Sequence, residues 1–299
     1  MIRVLAAGLR ATVQDRGRFT HLRDGVPPSG PADPFAFAAA QALVGNDTST
    51  AAIEIVGSPF TVACDDRRVV AVTGRDVALR TRSRIPGWTA VFVRAGEEIS
   101  VIAGERTRFA YLAISGGIAT QHILGSRATH LAARIGDVLH AGDNVALGDA
   151  RVDPEHAGRS LDAPRYQDEE VRAITGPHTD RFTEDAHRAF FDAAFTVDAA
   201  SDRMATRLEG ARVVAREGEI LTCGVIAGAV QVPAGGAPIV LLAEHQATGG
   251  YPVIATIAAA DLGRAAQRVP GEQLRFARAS REHALDLLRA QARALAAIG

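Results

Sequence analysis

The chain contains no lysine: all 33 of its basic residues are arginine. That absence excludes Schiff-base chemistry on this chain, a biotinyl-lysine carrier, and a phosphate loop of the G-x-x-x-x-G-K-[ST] type. If ATP or biotin takes part in the reaction, another chain must grip the phosphates or carry the biotin; no cofactor is expected on this chain alone. Cysteine is nearly absent too. Cys64 and Cys223 are expected to be buried, reduced thiols, which points to the cytoplasm. No H-E-x-x-H, no Cys/His cluster and no G-x-S-x-G elbow occurs, so no metal site is expected. A broad basic face is missing as well. The 33 basic and 34 acidic residues leave a net charge of -1, which argues against nucleic acid as a partner. Long apolar runs are lacking. "VLAAGL" near the start is too short for a signal peptide, and 224–243 is broken by Gln231, Pro233 and Pro238, so no membrane span is expected.

What is present is a mainly β pattern. Glycine (29) and proline (13) are spread between short apolar runs. These are "RVVAV" at 68–72, "TAVFV" at 89–93, "ISVI" at 99–102, "FAYLAI" at 109–114, "VQV" at 230–232, "PIVLLA" at 238–243 and "PVIATI" at 252–257. Short strands with such punctuation predict a barrel or sandwich, not a doubly wound sheet. Few helices are expected: one opening at Asp33-Pro34 and closing at Gly45-Asn46, one over "TDRFTEDAHRAFFDAAF", and an amphipathic one at "REHALDLLRAQARALAAI". In the last, Leu285, Leu288 and Ala292 share a side, ready to pack on this chain or on a partner. A pattern of small residue, glycine, acid and alternating apolar residues occurs three times, at 95–101, 141–147 and 270–276. It reads as a tight turn feeding a half-buried strand. The polar stretch around 151–170 reads as a linker between an N-terminal lobe, 1–150, and a C-terminal lobe, 171–299, that ends in the terminal helix.

Several segments carry residues suited to binding. In "GVPPSGPAD", Ser29 and Asp33 either cap the following helix or touch a ligand. In "AISGG", Ser115 and Gly116 end a strand where backbone N–H groups can approach an anion or a carbonyl oxygen. Arg127 in "LGSRATHLAARIGD" suits a carboxylate, and His130 nearby reads as structural. In "SDRMATRLEG", Asp202, Arg203, Arg207 and Glu209 are expected to pair among themselves. "VQVPAGGAPIVLLAEHQATGGYP" is the densest candidate. Gln231 and Gln246 are amides, able to donate to and accept from a lactam or urea, with Glu244, His245 and Thr248 close by.

Taken in order, "GLRATVQDRGR", "GVPPSGPAD", "LVGN", "LAISGG", "GSRATHLAARIG", "SDRMATRLEG", "VQVPAGGAPIVLLA" and "GGYPVIATIAAADL" resemble the allophanate hydrolase subunit 2 family. That family includes KipA, the C component of the ATP-hydrolysing 5-oxoprolinase, and the carboxyltransferase region of urea carboxylase. The resemblance runs from about residue 3 to 277. It implies cyclophilin-like β-barrel lobes, a paired KipI-like subunit and, in one branch, a LamB/YcsF-like subunit. It also implies action on a C–N bond of a small amide, lactam or urea-like compound. ATP-dependent opening of 5-oxoproline leads, and biotin-dependent carboxyl transfer or KipA-like regulation are the alternatives. This chain reads Ser29-Gly30-Pro31-Ala32-Asp33 where the family commonly has Ser-Gly-Ala-Met-Asp. "GGYPVIATIAAADL" is then barrel wall, with Gln246 and Thr248 just upstream as ligand-facing candidates.

Overall fold

The computed structural model describes residues 1–149, 153–168, 170–216 and 219–298. The fold is mainly β and divides into two units. One comprises Met1–Arg18, Ser29–Pro164 and Ala292–Gly299, the other Phe19–Pro28 and Arg165–Gln291. The division at 164/165 falls inside the stretch read as a linker, of which Arg151, Val152 and Glu169 lie outside the described residues. Its residues 153–161 are tied down within the first unit. Gly158 donates to Ala90 O, Ala90 to Arg159 O, and Leu161 to Trp88 O.

The first unit carries β1 (Ile2–Ala7), β2 (Arg10–Gln14), β3 (Ala52–Val56), β4 (Phe60–Cys64), β5 (Arg68–Gly74), β6 (Val77–Arg80), β7 (Arg84–Pro86), β8 (Ala90–Val93), β9 (Glu98–Ala103), β10 (Ala110–Ile114) and β11 (Asn144–Val145). They form a six-stranded sheet, β11-β1-β4-β9-β6-β7, and a five-stranded sheet, β2-β3-β10-β5-β8. Alternate residues of both sheets, among them Val4, Phe60 and Val101 from one and Val13, Ile55 and Leu112 from the other, share one apolar core. Burying those faces removes roughly 25 cal/mol per Å² of apolar surface from water, and this is what holds the sheets together. Helix α1 (Pro34–Leu43) covers the other face of the five-stranded sheet, where Thr73 Oγ1 donates to Ala36 O at 2.6 Å.

The second unit closes into a barrel, β12-β19-β16-β17-β14-β13-β20, from β12 (Glu170–Thr175), β13 (Ala194–Val197), β14 (Ala205–Glu209), β16 (Ala229–Gln231), β17 (Ile239–Leu241), β19 (Val253–Ile257) and β20 (Gln273–Arg278). All pairings are antiparallel except β12 with β20. A two-stranded ribbon, β15 (Cys223–Gly224) with β18 (Thr248–Gly249), stands apart from the barrel ladder. Helix α2 (Glu184–Asp192), capped by Thr183, is shorter than the periodicity predicts: its expected last turn becomes β13. Pairing Phe195 with Leu274 buries the Phe195 ring in an aromatic cluster with Phe190 and Phe276, which outweighs continuing the helix. Helix α3 (Leu262–Ala266) follows β19, and α4 (Arg281–Ala296) closes the chain. Of the expected apolar side of α4, Leu285 and Leu288 are 41% and 44% exposed. Cys64 is buried, but Cys223 is only half-buried, contrary to expectation, because it sits on the outlying ribbon.

Candidate functional site

The second unit supplies an amide pair. Gln231 ends β16, where the register against β19 shifts between Val230 and Gln231. Such a bulge re-aims a side chain, and bulges are frequent beside binding sites. Gln231 is 2% exposed. Its Oε1 accepts from Gln246 Nε2 at 3.2 Å, while its own Nε2 is buried with no hydrogen-bond partner among the described residues. An unmet buried amide donor costs about 1–3 kcal/mol, so its retention needs a reason. Gly249 lies against it: a Cβ there would come within 2.5 Å of Gln231 Nε2. Glycine therefore lets the Gln231 amide pack against the backbone at 249, where any side chain would collide with it. Beneath, Ala205, Ala229, Leu241 and Val253 pack with Val225 into an apolar floor.

The neighbours of this pair play structural parts. Glu244 Oε1 accepts from Arg203 Nε at 2.7 Å. Arg203 thus has a partner outside the "SDRMATRLEG" segment, and Asp202 Oδ1 accepts from the backbone of Met204 and Ala205. The His245 ring packs inward with Nδ1 2.7 Å from Gln246 O, and burial holds it below the ordinary histidine range despite that contact. Burial thus favours its neutral form. Thr248 is exposed on the ribbon, opposite Gly224.

The first unit holds a cavity of about 400 Å³, and Gly116 and Arg127 are in its lining. The rest of the lining includes Asp15, Arg16, Gly17, His122 and Gly148, none of which a sequence motif singles out as a site. The signal was "DRGR", a glycine between arginines at the end of β2. Arg127 Nε donates to Thr120 O at 2.7 Å, and its Nη1 meets His122 Nε2. Ser115 stays out of the lining: its Oγ accepts from Val69 N at 3.0 Å. Ser29 and Asp33 are also held in the fold. Ser29 Oγ donates to Thr129 O, and Asp33 Oδ1 accepts from Ala36 N as the α1 cap. His130 Nδ1 accepts from Ala133 N, a structural role as expected.

A sequence profile described as carboxyltransferase domain, subdomain A and B, matches residues 24–278. The chain belongs to that family. It is 32% identical to the C component of 5-oxoprolinase from Escherichia coli strain K12, over 98% of this chain and 96% of that one. Among solved structures, that of Kluyveromyces lactis urea carboxylase superposes with a TM-score of 0.89 at 27% identity, over 100% of this chain and 29% of that one. The TTHA0988 crystal structure superposes with a TM-score of 0.84 at 30% identity, covering 92% of this chain and 55% of that one. This carboxyltransferase-family chain thus spans about half the length of TTHA0988. Among its described residues, no helix is long and apolar enough to cross a membrane, and no cluster of His, Cys, Asp and Glu suits a metal ion.

Proposed function

We propose that this chain is the C component of an ATP-dependent 5-oxoprolinase, working with a KipI-like and a LamB/YcsF-like subunit. The observation that carries the reading is the Gln231–Gln246 pair, with its buried, unmet Nε2 donor over an apolar floor. The full-length likeness to the C component of 5-oxoprolinase supports it. A lactam carbonyl supplies an acceptor for that donor. Lactams resist water because the ring nitrogen donates into the carbonyl. A hydrogen bond from Gln231 Nε2 to the carbonyl oxygen holds the ring in place and stabilises charge gathering on that oxygen. Gln246, through its bond to Gln231 Oε1, orients the amide. With no lysine and no phosphate loop, this chain leaves ATP to its partners.

A second reading, biotin-dependent carboxyl transfer, draws on the likeness to urea carboxylase. A ureido carbonyl satisfies the same donor, and the biotin then comes from another chain.

The test is to assemble the three components and measure ATP-dependent conversion of 5-oxoproline to glutamate. Turnover is expected, reduced in Gln231→Leu and Gln246→Ala complexes that remain assembled. Absence of turnover, together with carboxylation of a urea-like acceptor when a biotin carboxylase and carrier are supplied, would transfer the assignment to the second reading. An assembled complex inactive in both assays, whose KipI-like subunit still binds and is silenced, would make the chain a regulator.

A further inference from the structure

We propose that the cavity in the first unit is a binding site for a small oxyanion, a carboxylate or a phosphate, gripped by Arg16 and Arg127. Both arginines line the cavity. Each is hydrogen-bonded through part of its guanidinium only. Arg16 Nη2 donates to Thr48 Oγ1, and Arg127 is held through Nε and Nη1. No further hydrogen bond or ion pair occupies Arg16 Nε and Nη1 or Arg127 Nη2 among the described residues. Partial tethering pre-orients a guanidinium and leaves N–H groups for an anionic acceptor, the chemistry that suits arginine to carboxylate and phosphate.

Asp15, the one acidic residue among the described lining residues, does not cancel this charge. The Asp15 carboxylate is committed to Ser126 Oγ at 2.5 Å, Gly17 N at 2.8 Å and Arg127 N at 2.6 Å. It braces the two segments that carry the arginines and accepts from neither guanidinium. A third arginine is buried in the adjoining stretch of chain. Arg18, one residue beyond the cavity-lining Gly17, is 2% exposed, and its Nη2 donates to the Ala128 carbonyl next to Arg127. Its Nε and Nη1 are buried without a partner among the described residues. Burial disfavours its charged form, and nearby Asp15 is a lesser opposing influence. An arginine cannot shed its proton at ordinary pH, so the local excess of positive charge persists in a poorly screened setting. A bound anion lowers that energy, and a neutral ligand does not.

The walls fit a compact ligand. Gly17, Gly116, Gly125 and Gly148 contribute lining with no side chain, so the ligand approaches the backbone closely. The Gly148 carbonyl and the Ser115 carbonyl are drawn back by Arg68 Nη1, at 2.9 and 2.7 Å, so neither faces the anion unpaired.

The site stands apart from the lactam reading, and its test needs no turnover. The full chain is titrated calorimetrically at low ionic strength with inorganic phosphate, with 5-oxoproline, and with 2-pyrrolidinone, the same ring without its carboxylate. At least one of the two anions is expected to bind, with Arg16→Gln and Arg127→Gln each weakening it about tenfold to a hundredfold, the loss of one charge-assisted hydrogen bond. Arg127→Lys, which keeps the charge and loses the fork, is expected to fall between. Binding of phosphate alone identifies a phosphate site, and binding of 5-oxoproline that both glutamine variants weaken while any 2-pyrrolidinone signal stays unchanged identifies a carboxylate site. Failure of both anions to bind, or equal affinity in the wild type and both glutamine variants, overturns the proposal. Melting curves of each variant confirm that a lost signal reports the site and not the fold.

Discussion

Gln231, Gln246, Gly249 and Val253 lie within one short span of the second unit yet are expected to respond differently to substitution. Gln246→Ala removes a half-buried amide whose described side-chain bond is the one to Gln231. Turnover of the assembled complex is expected to fall about ten- to a thousand-fold, with the melting temperature nearly unchanged. Val253→Ala removes buried methyl groups from the apolar floor. It is expected to cost about 1–3 kcal/mol in urea melts while turnover per folded complex is kept. Gly249→Ala forces its Cβ onto the Gln231 amide, so activity is expected to drop even though the substitution is small. If Gln246→Ala instead destabilises as Val253→Ala does and spares the rate, the amide pair is packing and not a site. Cys64 gives no comparable handle, since burial pushes its thiol up to about 12 and keeps it inert.

Among elements, the thrice-repeated glycine-acid pattern folds the same way each time. In all three copies the glycine has positive φ: 74° at Gly96, 99° at Gly142 and 87° at Gly271. The acid that follows accepts from the backbone three residues earlier: Glu97 from Arg94, Asp143 from His140, Glu272 from Val269. A strand begins directly after each, β9, β11 and β20. A Cβ at any of these glycines would meet nothing within 4 Å. Replacement by alanine therefore tests backbone strain alone. Each is expected to cost about 1–2 kcal/mol, measured by urea unfolding, and asparagine less than alanine. The stretch between β19 and β20 is pinned by Asp261, whose carboxylate accepts from the backbone N and guanidinium of Arg172 and from Arg264. Burial alone would raise the Asp261 pKa, but these donors outweigh it and hold it below the ordinary carboxylate range. With the folded pKa lower than the unfolded one, the stabilisation is complete above roughly pH 4–5 and is lost as pH falls through the folded value. Asp261→Asn is expected to lower stability at pH 7 by about 3–5 kcal/mol, since it strands a partly buried cation, and to flatten the acid limb of the stability–pH curve.

For the whole molecule, the two candidate sites belong to separate units. Neither contains a metal cluster among its described residues, or a lysine. The purified chain alone is therefore expected neither to hydrolyse ATP nor to open 5-oxoproline. With a KipI-like subunit it is expected to elute as one complex in size-exclusion chromatography with light scattering. Two separate peaks at micromolar concentration would speak against the proposed assembly, and turnover by the single chain would speak against a shared reaction centre.

Local pattern was enough for the strand-rich class, the α1 boundary at Asp33 and the three turns, because glycine conformation, capping and alternation act over a few residues. Composition ruled out lysine chemistry outright. The ordered motifs pointed to the family that the comparisons then established. Arg127, Gln231 and Gln246 were legible as polar residues in apolar or glycine-rich settings. Which of the candidates meet depends on the three-dimensional fold. Gln231 and Gln246 are brought together by β16 and the β15–β18 ribbon, while Glu244 is taken by Arg203, Ser115 by Val69 and Asp33 by its own helix. Asp15 reaches Ser126 and Arg127 across more than a hundred residues of chain, which no local pattern encodes. A hydrogen bond between distant strands depends on the register of whole sheets, and that register is set by burial of the core rather than by the residues that make the bond.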